Sequence, residues 1–243
     1  MEGFNWLKEL GHTIIPPVPS LFTFNMPNEP IKKLMGVVAN PVTVKVRTAH
    51  VVSQRLSSEG ALLITHWGMS GPAVLKLSAW GARELHAMKY KFEVLVNWLA
   101  DKNEQEIRDW LDVELKTIGK RQVGNKNPFQ LPNRLWLFFL EKNEIDSEVT
   151  WNQLAKKSLN KLINTLVNDF YKAEGKTTFK EEFVTCGGVS LDEVSFETME
   201  SKVCPGIYFA GEVLDVDAVT GGFNFQAAWT TGFIAGKLGR SPT

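Results

Sequence analysis

The chain has 243 residues, and its 27 basic residues balance 27 acidic ones. This zero net charge excludes the strongly basic class of nucleic-acid-binding proteins and gives no basis for binding an anionic membrane. Two cysteines exclude a disulfide-rich secreted scaffold, and no apolar run is long enough to predict a transmembrane helix. The first residues lack a signal-peptide pattern. We therefore expect a cytoplasmic globular protein with one large domain or two smaller ones.

The chain begins with a pattern typical of a short helix followed by a strand. Residues 4–10 are compatible with a helix, and Gly11 is placed to end it. His12–Ile15 then predicts a short strand. Three prolines predict a break in regular structure at a crossing between domains: Pro16, Pro17 and Pro19.

Residues 21–66 are dominated by strand patterns. Val42, Val44 and Val46 alternate with polar residues, which indicates a half-buried strand. Two further strands, Val51–Leu56 and Ala61–Thr65, are predicted on either side of a turn at residues 57–60. This part of the chain predicts an antiparallel meander or a small barrel.

The middle of the chain predicts mainly helices. Ser70 is placed to cap a helix that runs to about Leu85, and Glu104–Ile118 is amphipathic with a solvated, charged start. The other predicted elements are strands at Tyr90–Leu99, Phe170–Glu174 and Glu182–Thr185, helices at Leu135–Leu140 and Trp151–Val167, and a loop at Gly124–Pro128. Six tryptophans are expected in the core: Trp67, Trp80, Trp98, Trp110, Trp136 and Trp151.

The most informative segment lies near the end of the chain. Ile207–Ala210 is a short apolar run that predicts a buried strand, and Asn224–Leu238 predicts a helix. Between them lies a loop that ends in Thr220, Gly221 and Gly222. Free N–H groups and the positive end of a helix dipole make such a helix start a site for an anion. The paired glycines let a ligand approach the backbone closely.

Three segments of this sequence together resemble a known family. They are T-H-W-G-M-S-G-P-A-V-L from Thr65, T-C-G-G-V-S-L-D-E-V from Thr185, and G-I-Y-F-A-G-E-V-L-D-V-D-A-V-T-G-G-F-N-F-Q-A-A-W from Gly206. In this order they resemble the bacterial aminoacetone oxidase-like FAD-dependent oxidoreductases, flavoproteins of the two-dinucleotide-binding type.

The resemblance implies an FAD site and a reaction. The implied cofactor-binding residues are Gly187, Gly188, Ala210, Gly211, Glu212, Thr220, Gly221, Gly222, Phe223 and Asn224. Asp215 and Asp217 are weaker candidates, because carboxylates repel a pyrophosphate unless they face ribose hydroxyls or water. Hydride would pass between flavin and either a small-molecule substrate or NAD(P)H as reductant. No metal site, nucleic-acid partner or membrane partner is expected.

The resemblance also implies a fold that this chain holds only in part. The expected class is α/β, an incomplete FAD-binding Rossmann-like domain with an inserted β-rich and helical domain. Residues 1–15 and 170–243 would form the first, and residues 16–169 the second. The N-terminal G-x-G-x-x-G unit expected of such a flavoprotein has no counterpart in this sequence. We therefore expect a fragment, a truncated reading frame or one piece of a split protein, which self-associates or aggregates unless a missing N-terminal half is supplied.

Several residues allow a structural as well as a functional interpretation. His66 is either a catalytic proton donor at the flavin or a loop histidine bonded to backbone. Cys186 either touches the flavin or packs as a small apolar side chain. Residues 185–189 are either close to the flavin ring or form a β-turn or bulge.

Two alternatives to an enzyme stay open on the sequence. The chain could be a non-catalytic remnant, or a binding module built on the inserted domain. A third hypothesis is nucleic-acid binding by Lys45, Arg47 and Arg55 on one face of the β-rich region, against which the balanced charge argues.

Overall fold

A computed structural model describes residues 2–48, 51–100, 102–177 and 184–238 of the chain. Its α-helices are α1 (Glu2–Glu9), α2 (Pro72–Trp80), α3 (Ala82–Ala87), α4 (Glu104–Ile118), α5 (Asn133–Lys142), α6 (Lys156–Val167) and α7 (Phe223–Ala235). Its strands are β1 (Ile14–Ser20), β2 (Thr23–Asn25), β3 (Val38–Thr48), β4 (Val51–Ile64), β5 (Gly68–Ser70), β6 (Lys91–Asn97), β7 (Asp169–Glu174), β8 (Lys176–Thr177), β9 (Val184–Val189), β10 (Val194–Ser195) and β11 (Glu200–Ser201).

The chain divides into two compact units. One, here called the sheet unit, comprises Thr23–Leu77 and Tyr90–Thr177. The other, here called the split unit, comprises the described residues of three separate segments, Met1–Phe22, Ser78–Lys89 and Thr178–Thr243. The predicted boundaries at residues 15/16 and 169/170 stay predictions.

The sheet unit is built on a curled antiparallel sheet of seven strands in the order β7-β6-β3-β4-β5-β2-β8. Its two edge strands, β7 and β8, are separated in sequence by Gly175 alone. The Gly175 N–H donates to the Tyr90 carbonyl (2.7 Å), while its own carbonyl accepts from the Asn25 N–H (3.1 Å). Gly175 is therefore hydrogen-bonded beside both edge strands, to Tyr90 on one side and to Asn25 on the other. The sheet must curl until its two edges meet. This confirms the predicted antiparallel, β-rich region.

The alternating valines of β3 are buried as the sequence predicts. Val42, Val44 and Val46 are fully buried. The predicted turn at residues 57–60 is wrong, because these residues continue β4 and pair with β3, Ser57 opposite Lys45 and Gly60 opposite Val42. Cross-strand pairing here overrides the weak turn preference of a Ser-Ser-Glu-Gly sequence.

Helices α4, α5 and α6 complete the sheet unit. Helix α4 has the predicted bounds, and the Asn103 side chain caps it by accepting from the N–H groups of Gln105 and Glu106. The helix predicted at 151–167 is divided into a 3₁₀ turn (Trp151–Gln153) and α6. Trp98, Trp136 and Trp151 are buried as expected, but the expectation is wrong for three tryptophans that are substantially exposed: Trp67, Trp80 and Trp110.

A buried polar cluster joins β7 to its surroundings. The Asp169 carboxylate is 4% exposed, accepts from the Trp98 indole N–H (3.0 Å), and also bonds the Tyr171 hydroxyl and the Lys142 ammonium. Burial raises the pKa of Asp169, although Lys142 opposes this. Burial, together with the Asp169 charge and hydrogen bond, raises the pKa of Tyr171 well above 10. The cluster therefore favours a neutral Tyr171.

The raised pKa of Tyr171 predicts a loss of stability in alkali. The unfolded tyrosine releases its proton near pH 10, while the buried one keeps it. Its contribution to stability is therefore present below pH 10 and is lost as pH rises towards the folded pKa, by up to about 1.4 kcal/mol per pH unit. We expect urea unfolding followed across this range to show that Tyr171→Phe removes this dependence. Tyr208→Phe is the control, and equal pH dependence in both variants would contradict the prediction.

The split unit has at its centre the antiparallel pair β1–β9. Gly11 ends α1 as predicted, because the N–H groups of Gly11 and His12 close onto the carbonyls of Lys8 and Leu7. His12 is buried and bonds the Ser201 hydroxyl (2.8 Å), which fixes the end of α1 against the turn after β11. A small apolar core of Val189, Val194, Met199, Phe209 and Leu214 supports β9.

Several local predictions for the split unit and for the residues around α2 are wrong. The prolines do not end β1; instead Pro16 and Pro17 form an irregularity opposite Gly187, where their missing N–H groups cost no ladder hydrogen bond. The strand predicted at 207–210 makes one isolated bridge, from Tyr208 to Glu200. The predicted helix to Leu85 breaks at Gly81, and Ser70 is the last residue of β5 and not a helix cap.

The fold class is confirmed only in its coarser part. The described residues form a mixed α/β protein with a curled antiparallel sheet. The Rossmann-like nature of the split unit and the inserted nature of the sheet unit stay predictions. Among the described residues, no helix has both the length and the hydrophobicity that a membrane span requires. The start of the predicted strand 182–185 lies outside the described residues.

Candidate functional site

The start of α7 is an exposed helix N-terminus without a side-chain cap. Gly222 is its N-cap in the left-handed conformation (φ +86°), and no side chain bonds the first N–H groups. Thr220, Gly221, Gly222 and Phe223 are all exposed. A Cβ built on Gly222 would have no atom within 4 Å. Backbone donors at the positive end of a helix dipole thus have no side-chain cap, and the residues before them are exposed.

Asn224 fixes the loop that leads into this helix. Its side-chain oxygen accepts from the Ala218 N–H, and its side-chain nitrogen donates to the Ala218 carbonyl, both at 2.9 Å. The side chain of this predicted cofactor residue is therefore occupied within the loop. What remains for a ligand is the backbone of the loop, which these two hydrogen bonds tie to the first turn of α7.

Residues 210–212 are attached to the same helix. The Gly211 N–H donates to the Thr231 hydroxyl (2.9 Å), and that hydroxyl donates to the Ala227 carbonyl (2.7 Å). Ala210 and Glu212 on either side are exposed. The structure thus places residues 210–212 and 220–224 beside the same helix, α7, and the Gly211 N–H is already bonded. Their contact with a cofactor stays a prediction.

Gly187 and Gly188 are buried in β9 by close backbone approach. A Cβ on Gly188 would lie 2.5 Å from the Val213 carbonyl oxygen, and one on Gly187 would lie 2.6 Å from the Pro16 carbonyl oxygen. The turn interpretation of this segment is wrong because it is a strand, while the irregularity that matches the bulge interpretation lies on β1. The close approach of neighbouring backbone is sufficient to explain glycine at both positions. Contact of these glycines with a cofactor stays a prediction.

A cleft of about 640 Å³ opens beside the α7 start, within the split unit. Its lining includes Trp80 at the end of α2, Arg83 of α3 and Cys186 of β9. Asp217 in the loop before α7 and Phe223 at the start of α7 complete the set used here. Trp80 and Phe223 are each 56% exposed. The volume lies within the range of small-molecule sites. Sequence analysis identified neither Trp80 nor Arg83 as functional, and no motif marks them.

Charged side chains in this cleft are held by partners. Arg83 forms an ion pair with Asp215 (3.1 Å), and Asp217 accepts from the buried hydroxyl of Ser20 (2.8 Å). These bonds give the two aspartates structural roles in the split unit. Their direct contact with a cofactor, already the weaker expectation, has no support in this geometry.

Cys186 lies at the buried side of the cleft. It is 8% exposed and packs with Val18 and Ala82, as the structural interpretation requires. Burial raises the pKa of its thiol to about 11, and the neighbouring Asp217 carboxylate adds to the shift. The thiol is therefore protonated at neutral pH.

Cys186 and Cys204 are expected to react at very different rates. The thiolate is the nucleophile, so a buried thiol with a pKa near 11 should react with iodoacetamide at least about tenfold more slowly than half-buried Cys204 at neutral pH. The Cys186 rate should rise steeply with pH up to about 11. Peptide mass spectrometry measures both thiols in one sample. Equal rates at neutral pH would contradict the prediction.

His66 lies in the sheet unit, on the turn between β4 and β5. Its exposed ring lies 4.5 Å from the ring of Trp67. The turn itself is closed by Thr65, whose hydroxyl accepts from the N–H groups of Trp67 and Gly68. The catalytic role of His66 stays a prediction. The described residues contain no group of three or more metal-ligating side chains.

More than half of the chain matches the model of a known protein family. A family model described as "HI0933-like protein barrel and H2TH domain" matches residues 18–184. These residues include the whole sheet unit, with its curled sheet and helices α4 to α6.

Individual relatives match nearly the full length of the chain. It is 28% identical over 236 residues to a 3-dehydro-bile acid delta(4,6)-reductase of Clostridium scindens, covering 97% of this chain and 57% of the relative. It is 31% identical over 236 residues to a ribosomal RNA dihydrouridine synthase of Escherichia coli, covering 97% and 55%. A protein of that name from Haemophilus influenzae is 31% identical over 235 residues, covering 95% and 54%. The chain spans about half the length of these relatives.

Proposed function

This chain belongs to the family described as HI0933-like protein barrel and H2TH domain, and on that premise we propose that it is part of a flavin-dependent oxidoreductase. The observation that carries the proposal is the exposed, uncapped start of α7, with its Thr220-Gly221-Gly222 loop. The names of the matching relatives, a reductase and a dihydrouridine synthase, support an oxidoreductase. The finer assignment to aminoacetone oxidase-like proteins stays a prediction.

The relatives' names share one kind of chemistry. A 3-dehydro-delta(4,6) steroid has carbon–carbon double bonds conjugated with a ketone, and uridine has one conjugated with a ring carbonyl. Saturating such a bond requires a hydride at one carbon and a proton at the other. We therefore propose reduction of a conjugated carbonyl compound, with NAD(P)H as the source of the electrons. Bound FAD would carry the hydride from NAD(P)H to the substrate.

The residues present fit a flavin at the start of α7. Backbone N–H groups there would stabilise negative charge on the pyrimidine edge of the ring, and Asn224 would keep the loop in place. Open space at Gly222 leaves room for a planar group. Gly211 and Glu212, attached through Thr231, would lie along the rest of the cofactor.

A small-molecule substrate is favoured over RNA. Of the residues proposed for nucleic-acid binding, Arg47 forms an ion pair with Glu93 (3.0 Å) and lies over the Phe170 ring. Its charge is therefore compensated on the sheet surface. The alternative function is a non-catalytic binding module, which the flavin-binding experiment below distinguishes from an enzyme.

Flavin binding tests the proposal directly. The purified chain is mixed with excess FAD and desalted, and bound flavin is measured by absorbance against protein. We expect stoichiometric binding, weakened by Gly222→Val. Gly36→Val is the matched control, because Gly36 has nearly the same backbone angle (φ +87°) and equally open space, but lies in the sheet unit. Absence of bound flavin, or equal weakening by both variants, would refute the assignment for this chain and favour a binding module.

A further inference from the structure

The cleft beside α7 combines aromatic faces with one cation. Trp80 and Phe223 line it, and the Arg83 guanidinium, 44% exposed, lies among them. A guanidinium carries five N–H donors. Arg83 donates from Nη2 to Asp215 (3.1 Å) and from Nη1 to the Pro16 carbonyl (3.5 Å), so two donors are used and three are left for a ligand. The two bonds hold the guanidinium in place. Such an arrangement suits a flat ligand with a hydrogen-bond acceptor.

The charge balance of the cleft decides which acceptor it takes. Arg83 is the one cation among the described lining residues, whereas Glu84 and Asp217 also line the cleft and Asp215 pairs with Arg83. The local charge is therefore negative, and a phosphate or carboxylate would be repelled. A neutral carbonyl oxygen can accept from Arg83 without that cost. The cleft therefore selects an uncharged ligand.

We propose that this cleft is the substrate site, and that it binds a flat, uncharged compound with a carbonyl conjugated to a carbon–carbon double bond. The carbonyl oxygen accepts from Arg83, and the ring lies against Trp80 and Phe223. The assignment of the ligand as a substrate rests on the function proposed above. Three sequence-distant segments form this site: residues 78–89, β9 and the loop into α7.

The protonated thiol of Cys186 provides a measurement at the site. A ligand in the cleft should shield Cys186 from iodoacetamide and leave Cys204 unaffected, because only Cys186 lines the cleft. The reaction is run at about pH 8.5, where a small thiolate fraction of Cys186 reacts and uracil is still largely neutral. Uracil and testosterone serve as neutral conjugated probes, and orotate, the 6-carboxylate of uracil, as the charged counterpart.

We expect uracil or testosterone to slow alkylation of Cys186 by about tenfold at ten times its dissociation constant, with Cys204 unchanged. Orotate should protect far less than uracil. Arg83→Met and Trp80→Ala should each remove the protection. Arg55→Met, an exposed arginine of the sheet unit, should retain it.

Three results with the unchanged protein would overturn the site. They are no protection by either neutral probe, equal slowing of both thiols, or protection by orotate as strong as that by uracil. A fourth is retained protection in either Arg83→Met or Trp80→Ala. Bound FAD without protection refutes this site alone, whereas protection without bound FAD refutes the flavin assignment and leaves the cleft as a carbonyl-binding site.

Discussion

Gly188→Ala is expected to lower the free energy of unfolding of the split unit by about 3–5 kcal/mol, combining backbone strain with overpacking. The new Cβ would lie 2.5 Å from the Val213 carbonyl oxygen and 2.6 Å from the Leu214 carbonyl carbon, at a φ of +148°. Both contacts are with backbone, so no side chain can rotate to relieve them. Urea unfolding followed by tryptophan fluorescence measures the change.

Gly206→Ala is the matched control for this change. Gly206 lies in the same unit at φ +87°, but its Cβ would have no atom within 4 Å. Only the strain of the left-handed conformation remains, about 1–2 kcal/mol. If Gly188→Ala cost no more than Gly206→Ala, close packing would not be the reason for glycine at position 188. The cofactor interpretation would then gain weight.

Asp169→Ala is expected to destabilise the sheet unit by about 3–5 kcal/mol, because it leaves buried donors without an acceptor. The Trp98 indole N–H and the Tyr171 hydroxyl both bond this carboxylate, and both side chains are fully buried. Lys142 is partly exposed and can turn to water. Asp169→Asn, which keeps one acceptor oxygen, should cost less. Thermal unfolding of the unchanged chain, Asp169→Asn and Asp169→Ala gives their order of stability.

The control for this cluster is Asp112→Ala, at an exposed position on α4. We expect its cost to stay below about 0.5 kcal/mol, as for most surface substitutions. A similar small cost for Asp169→Ala would show that the cluster adds no net stability. The remaining role of the Asp169 cluster would then be to specify where β7 is placed in the fold.

Strong local signals predicted elements well. The bounds of α4 follow from its apolar stripe and its Asn103 cap, and the inner face of β3 follows from alternating valines. Predictions failed where contacts with residues far away in the sequence determine the local structure. Residues 57–60 were expected to turn, but β3 pairs with them through four successive residues. Pro16 and Pro17 were expected to end regular structure, but they fit an irregularity opposite β9.

The candidate site was predictable only where its residues are contiguous in sequence. The loop and helix at 220–224 form a local motif, and the structure keeps them together. Trp80 and Arg83 lie far from that motif along the chain, within residues expected to belong to the inserted domain. They join the split unit through contacts such as Phe22–Ser78 and Val18–Ala82–Cys186. No pattern of spacing encodes such contacts.

The meeting of the two sheet edges at Gly175 has a consequence for synthesis on the ribosome. Strand β2 emerges early, but its outer neighbour β8 follows only after β7, when nearly all of the sheet unit has been made. Until then the backbone of Thr23–Asn25 is an unpaired edge available to other nascent chains. Slow translation late in this unit would therefore prolong the exposure of that edge. A chaperone that covers β2 would be needed most in that interval.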